Sequence, residues 1–251
     1  MLEFIPFELN TFQWTMVIIS ALLIGMSKTG ISGAGMAVIP IMAAIFGGKL
    51  STGIVLPLLS MADIFAVSYY HRHASWSYVL RLLPWTIIGV FIGIYVGDVI
   101  NDSVFKDIMG TIVMLSVALL VWRDLKKDVR IPGGILFPAI MGLSGGFATM
   151  VGNAAGAIMA LYLLSMRLPK NEYIGTGAWF FLIINLFKIP FHILIWKTIY
   201  MDTFLFDVAL LPVIAIGAFM GVYIVRIFPE KAYRVFILLT TAVSAIILII
   251  R

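Results

Sequence analysis

The sequence predicts an all-α polytopic membrane bundle built from two inverted repeats, each opening with a broken or re-entrant helical hairpin. Three observations carry this prediction: extreme hydropathy, apolar runs of membrane length, and an internal match between the two halves. Of the 251 residues, 62% are hydrophobic and only 12% charged, with a mean hydropathy of +1.10. A soluble globular chain is about half apolar and a quarter charged. The composition therefore excludes a soluble enzyme, a disordered chain and a nucleic-acid-binding module. It leaves the lipid bilayer as the solvent of most side chains.

A hydrocarbon core of about 30 Å needs about 20 helical residues per crossing. Apolar runs bounded by Gly, Pro and charge fall near Thr11–Gly25, Gly35–Phe46, Thr52–Tyr70, Tyr78–Val96 and Val104–Trp122. After a basic stretch come five more, near Ile135–Leu143, Ala154–Ser165, Tyr173–Ile195, Phe204–Val225 and Ala232–Ile250. The expected organisation is a first transmembrane repeat over residues 1–123, a basic cytoplasmic linker over 124–134 and a second repeat over 135–251. Met1–Glu8 carries two acids and no base, which argues against a signal peptide and for an outside N-terminus. That orientation gathers Arg72, Arg81, the basic residues of 123–130, Arg167, Lys170, Arg226, Lys231 and Arg234 inside. Only Lys49, Lys106, Lys197 and Arg251 remain outside, the asymmetry of the positive-inside rule.

Leu82-Leu83-Pro84-Trp85-Thr86-Ile87-Ile88-Gly89-Val90-Phe91-Ile92-Gly93-Ile94-Tyr95 aligns without a gap on Leu210 to Tyr223, both reading LLPxxxIGxFxGxY. Upstream, Gly25-Met26-Ser27 matches Gly142-Leu143-Ser144, Gly35 matches Gly156, Lys49 matches Lys170 and Asp63 matches Asn185. An odd number of crossings per repeat inverts the second copy. Transporters with inverted repeats place their site between the copies, at broken helices.

Each half opens with a Gly/Ser-rich interruption: Ser27-Lys28-Thr29-Gly30-Ile31-Ser32-Gly33-Ala34-Gly35 in the first, Ser144 to Gly156 in the second. Backbone that leaves the helix at membrane depth needs protein or a water cavity to satisfy it. Exposed N–H groups at the start of a half-helix attract anions. Ser27, Lys28, Thr29, Ser32 and Gly33 are thus candidate ligands for a small anion, with Ser144, Gly145, Gly152 and Asn153 opposite. Asp63, Asn185 and Lys188 would form a flanking polar shell able to carry coupling, with protons as the candidate coupling ion. With no Cys, and with His71 and His73 only two residues apart, no metal site is expected. No cofactor and no catalytic residue is expected either.

The order Gly25-Met26-Ser27-Lys28-Thr29-Gly30, Lys49, Ala62-Asp63-Ile64-Phe65-Ala66-Val67, Tyr69-Tyr70-His71-Arg72, Trp76 and the Pro84/Gly89/Gly93 spacing resembles the TauE/SafE sulfite-exporter family of membrane transporters. The resemblance extends from about Ala21 to the C-terminus. It implies movement of a small sulfur-containing anion (sulfite, a sulfonate or thiosulfate) across a prokaryotic cytoplasmic membrane. Two other functions fit parts of the sequence. An anion channel would share the hairpins and the duplication. An intramembrane serine protease would use Ser144 of Gly142-Leu143-Ser144-Gly145 with His192, but it asks for neither the duplication nor Lys28 and Asp63.

Overall fold

A computed structural model describes residues 7–31, 34–125, 134–227 and 229 of the chain. These residues form ten α-helices and two 3-10 turns, with no strand among them. The order is α1 (Thr11–Lys28), a 3-10 turn (Ala34–Ala37), α2 (Val38–Phe46), α3 (Gly48–Tyr70), a 3-10 turn (His71–His73), α4 (Trp76–Val99) and α5 (Asp102–Leu125). The second half holds α6 (Leu136–Gly152), α7 (Gly156–Ser165), α8 (Lys170–Leu194), α9 (Met201–Ala209) and α10 (Leu211–Ile227). By length and apolarity α1, α3, α4 and α8 can each cross a membrane, and α9 with α10 forms a further candidate bent by 47°. The predicted segment Ala232–Ile250 and the linker residues 126–133 lie outside the described residues.

The helix ends follow local chemistry. Asn10 and Gln13 bond reciprocally to each other's backbone N–H at 2.9 and 3.0 Å, a capping box that starts α1. Gly47, at φ 91°, opens α3 without a capping side chain of its own. The missing cap comes from another helix: the Asp102 carboxylate accepts from the N–H groups of Gly48 (3.2 Å) and Lys49 (2.9 Å). Lys106 adds an ion pair at 3.1 Å. Asp102 stands ahead of the apolar part of α5, at its aqueous end. Slight burial opposes its charge, but these donors outweigh that and hold its pKa below the ordinary carboxylate value. The stabilisation is therefore complete above the unfolded-state value and is lost as pH falls through the lower folded one. Asp102→Ala should cost about 1 kcal/mol at neutral pH. The difference from wild type should shrink on acidification below pH about 4, read as converging thermal unfolding midpoints.

α3 lies at the centre, with every residue from Ser51 to Ser60 buried, and packs along α8. α1 packs on α10 and α6 packs on α4. These two crossings meet at equivalent positions. A Cβ on Gly89 of α4 would overlap the carbonyl oxygen of Leu143, and one on Gly217 of α10 would overlap that of Leu22. Likewise Gly146 lies against Thr86 O, and Gly25 against Ile214 O. Small residues let helices approach this closely in membranes. The contacts pair Leu22 with Leu143 and Gly25 with Gly146, one turn later than the sequence match of Gly25 to Gly142. In the contact register Thr149 stands where the first half has Lys28.

The interruption in the second half is also shorter than predicted. α6 continues through Ser144, Gly145 and Gly146 to Gly152, and only Asn153–Ala155 leaves the helix. Gly142 and Gly146 belong to the α4 crossing, not to a turn: the crossing overrides their weak helix propensity. The outward sides of α4 and α10 expose Leu80, Ile88, Phe91, Tyr95, Ile216, Phe219 and Tyr223, as lipid-facing surfaces do.

Candidate functional site

The end of α1, the first 3-10 turn, α3, the α6–α7 break and α8 enclose a cavity of about 90 Å³. Its polar lining is Ser27, Lys28, Thr149, Asn153, Tyr173 and Asn185, against apolar walls that include Met36, Ile39, Leu59, Met159 and Phe181. That is well above the roughly 10–15 Å³ one water needs and well below the roughly 300–1,000 Å³ of a drug-sized pocket. A small ion fits; a peptide or nucleotide does not.

Lys28 occupies the last turn of α1, where the helix dipole favours a cation. Its Nζ pairs with Asp63 Oδ1 at 2.9 Å and lies 4.0 Å from the centre of the Phe181 ring. Asp63, on α3, is fully buried. Its other oxygen accepts from Asn185 Nδ2 at 2.6 Å. Phe181, Asn185 and Lys188 share one face of α8, at helical spacings of four and three.

Lys188 is also fully buried. Its Nζ lies 2.8 Å from Thr149 O, 3.0 Å from Thr149 Oγ1 and 2.8 Å from Asn153 Oδ1. Three acceptors around one nitrogen match the three donors of an ammonium; a neutral amine has only two. Lys188 thus closes the C-terminal end of α6 from another helix. Asn153 sits in the left-handed region at φ 54°, a conformation Asn tolerates better than most residues. Its Nδ2 donates to Thr52 O at 3.0 Å, tying the break to α3.

The electrostatic sum is unequal. Lys28 and Asp63 cancel, whereas the partners of Lys188 are all neutral oxygens. With both lysines protonated and Asp63 ionised, the cluster carries one net positive charge beside the cavity. The start of α7 adds to it. Gly156 opens onto the cavity with nothing within 4 Å of where a Cβ would stand. The N–H of Met159 is the one that reaches back to Ala155 O, at 2.9 Å. The N–H groups before it, on Gly156, Ala157 and Ile158, face the break.

The structure brings together Ser27, Lys28, Asn153, Asp63, Asn185 and Lys188. Others point away. Thr29 Oγ1 bonds to Ala218 O at 2.9 Å and to Gly25 O at 3.1 Å, facing α10. Ser144 is on an exposed face of α6, bonded to Ile140 O at 2.6 Å. Gly145 faces α7, where a Cβ would stand 3.6 Å from Ile158, and Gly152 faces Met109 of α5. The physical reason for Ser144 and Gly145 is the one-turn register difference, which gives Ala148 and Thr149 the inward positions. Ser32 and Gly33 lie outside the described residues. His192 is buried with Nδ1 2.8 Å from Thr198 Oγ1, so it does not meet the outward-facing Ser144 and no Ser/His dyad forms. Thr149, Phe181 and Thr52 were not legible as site residues, since Thr and Phe in an apolar run carry no signal of their own.

Comparison with curated proteins and with solved structures returns no match. A family model, described as sulfite exporter TauE/SafE, matches residues 17–248. That span takes in α1 from Val17 onward, every described helix from α2 to α10 and every residue of the polar cluster, and the chain belongs to the TauE/SafE sulfite exporter family.

Proposed function

We propose that this chain is a secondary transporter that moves a small sulfur-containing anion, of the sulfite, sulfonate or thiosulfate class, across the cytoplasmic membrane. The single observation that carries the reading is the uncompensated buried Lys188 beside a small cavity that also holds Lys28. Burying an ammonium is costly unless function repays it, and a bound monoanion would make the cluster neutral. Ser27, Lys28 and Asn153, with the N–H groups that open α7, are the proposed ligands. Asp63 and Asn185 orient Lys28, and Lys188 holds Asn153.

The reading includes two inverted repeats, residues 1–123 and 135–251, joined by a cytoplasmic linker, with the N-terminus outside. The equivalent glycine contacts of α1 on α10 and α6 on α4 support the duplication. The direct bond between Asp63 and its counterpart Asn185 is what two related residues near a pseudo-two-fold axis would make. Alternating access then rocks one repeat against the other around the cluster.

The test is flux of sulfur-radiolabelled sulfite, thiosulfate and a small sulfonate into proteoliposomes. Saturable uptake of at least one, competed by its unlabelled form, is expected. Uptake that rises linearly with concentration would indicate a channel, and no uptake of any would sink the anion reading. Asn153→Asp puts a carboxylate beside Lys188 and cancels a positive charge there, and it also replaces the Nδ2 donor to Thr52 O with an oxygen. Its KM should rise at least about tenfold, the equivalent of 1.4 kcal/mol, and its stability should fall by about 1 kcal/mol for the lost hydrogen bond.

A further inference from the structure

Asp207 is a fully buried acid on α9, and neither of its carboxylate oxygens has a hydrogen-bond partner. Its neighbours in the chain, Phe206 and Leu210, belong to an apolar cluster with Val17, Ala21, Ile24, Ile54 and Leu58. The elements packed against α9 carry four charged groups among the described residues, and each is engaged elsewhere. Lys28 and Asp63 pair with each other, Lys49 lies over the Trp196 ring, and Arg226 bonds Tyr69 through its Nε at 2.8 Å. Asp202 on α9 itself, and Glu8 before α1, are exposed.

The fold does not need an acid here. The ungapped match that sets Leu82 on Leu210 sets Val79 on Asp207. Val79 is likewise fully buried. The chain's own first half therefore shows that a valine fills the equivalent place. An unpartnered ionised carboxylate in such surroundings is strongly disfavoured against its neutral acid. A hard metal cation would need a shell of several oxygens, and Asp207 offers two from one side chain, with no metal-binding cluster among the described residues. A proton needs one.

The acid also sits where the fold is jointed. α9 and α10 meet at a bend of 47° just past it, ahead of Pro212. Non-helical backbone at such a joint allows one half-helix to swing relative to the other.

We propose that Asp207 is the site that binds and releases the coupling proton. This inference rests on the transporter reading. In the state described here the carboxylic acid is held dry. When the α9–α10 joint opens to water on one side, one carboxyl oxygen gives its proton to a water molecule there. After that side has closed and the other has opened, the carboxylate takes a proton from water on the second side. One proton crosses per cycle, and the anion crosses through the Lys28/Lys188 cluster.

The experiment compares wild type, Asp207→Asn, Asp207→Val and Asp207→Glu in proteoliposomes, with and without a pH gradient. Alongside it, infrared difference spectra of the reconstituted protein follow the carbonyl stretch of protonated carboxyl groups. Expected are gradient-stimulated flux in wild type, complete loss of that stimulation in the Asn and Val variants while zero-gradient flux stays measurable, and its return in Asp207→Glu. A protonated-carboxyl band should vanish in Asp207→Asn. Stimulation that survives in Asp207→Asn and Asp207→Val, wild-type flux indifferent to the gradient, or a spectrum unchanged by Asp207→Asn would each overturn the inference and leave the anion reading standing. Absence of any anion flux in wild type is the separate failure of that reading.

Discussion

Lys28→Ala is expected to destabilise the protein by about 3–5 kcal/mol, the cost of removing one partner from a buried ion pair. Asp63 has no exposed surface, and its partners are Lys28 and the Asn185 amide. With the ammonium gone, a buried carboxylate keeps one neutral donor. From the sequence alone, the same substitution would be expected to abolish anion binding in a folded protein. The geometry changes that expectation, because loss of flux in the single variant mixes unfolding with loss of the site. Lys28→Ala/Asp63→Asn separates them. It removes both charges, leaves an amide pair at 63 and 185, and should recover most of the lost stability. Anion flux should remain absent in the double variant, since Lys28 is gone from the cavity. Thermal unfolding in detergent and flux in proteoliposomes, run on both variants, decide the matter. A single variant as stable as wild type would mean that the pair is not buried in the working protein. A double variant that transports normally would remove Lys28 from the site.

The existence of the helices was legible because hydrophobic run length is a property of sequence. α3, α4, α5 and α8 begin within a few residues of their predicted starts. Where sequence reading went astray, a tertiary contact had overruled a local preference. Gly142, Gly145 and Gly146 look like a turn in the chain, yet two of them are spaced to receive the backbone of α4. The misplaced turn then displaced the register by one helical step and put Ser144, not Ala148, opposite Ser27. A single predicted segment over Phe204–Val225 proved to be two helices bent at Leu210, where Pro212 occupies the first turn of α10, a position that suits proline. Charged residues in apolar runs stood out unaided, which is why Lys28, Asp63 and Lys188 were identifiable. Opposite charge suggests a pair between Lys28 and Asp63, which the structure contains, but the seat of Lys188 among Thr149 and Asn153 was not legible, because helices far apart in sequence had to be brought together first. Asp207 was hidden for the opposite reason. It lies near the aqueous head of its segment, beside Asp202, and sequence cannot distinguish an interfacial acid from a buried one.

Gly89→Ala and Gly217→Ala should each destabilise the protein by about 3 kcal/mol, the upper end of overpacking costs. At both positions the added Cβ would overlap a backbone carbonyl oxygen, that of Leu143 or of Leu22. A flexible side chain could turn aside; a helix backbone relaxes only if the whole crossing opens. Gly110→Ala is the control, since nothing lies within 4 Å of its Cβ. It should be neutral or slightly stabilising, as Ala is the better helix former. The comparison between the two sensitive sites is the informative part. One glycine sits in the first half and receives a helix of the second; the other sits in the second half and receives a helix of the first. If the two crossings are copies of one design, their losses should agree within about 0.5 kcal/mol, and the two variants should add, being distant and without shared partners. Strongly unequal losses would mean that the crossings carry different loads and that the equivalence stops at sequence. Equal losses would tie the ungapped LLPxxxIGxFxGxY match to its physical cause: each copy keeps its glycines because each must admit the broken helix of the other. That exchange holds the two broken helices, and with them Lys28 and Thr149, on either side of one cavity.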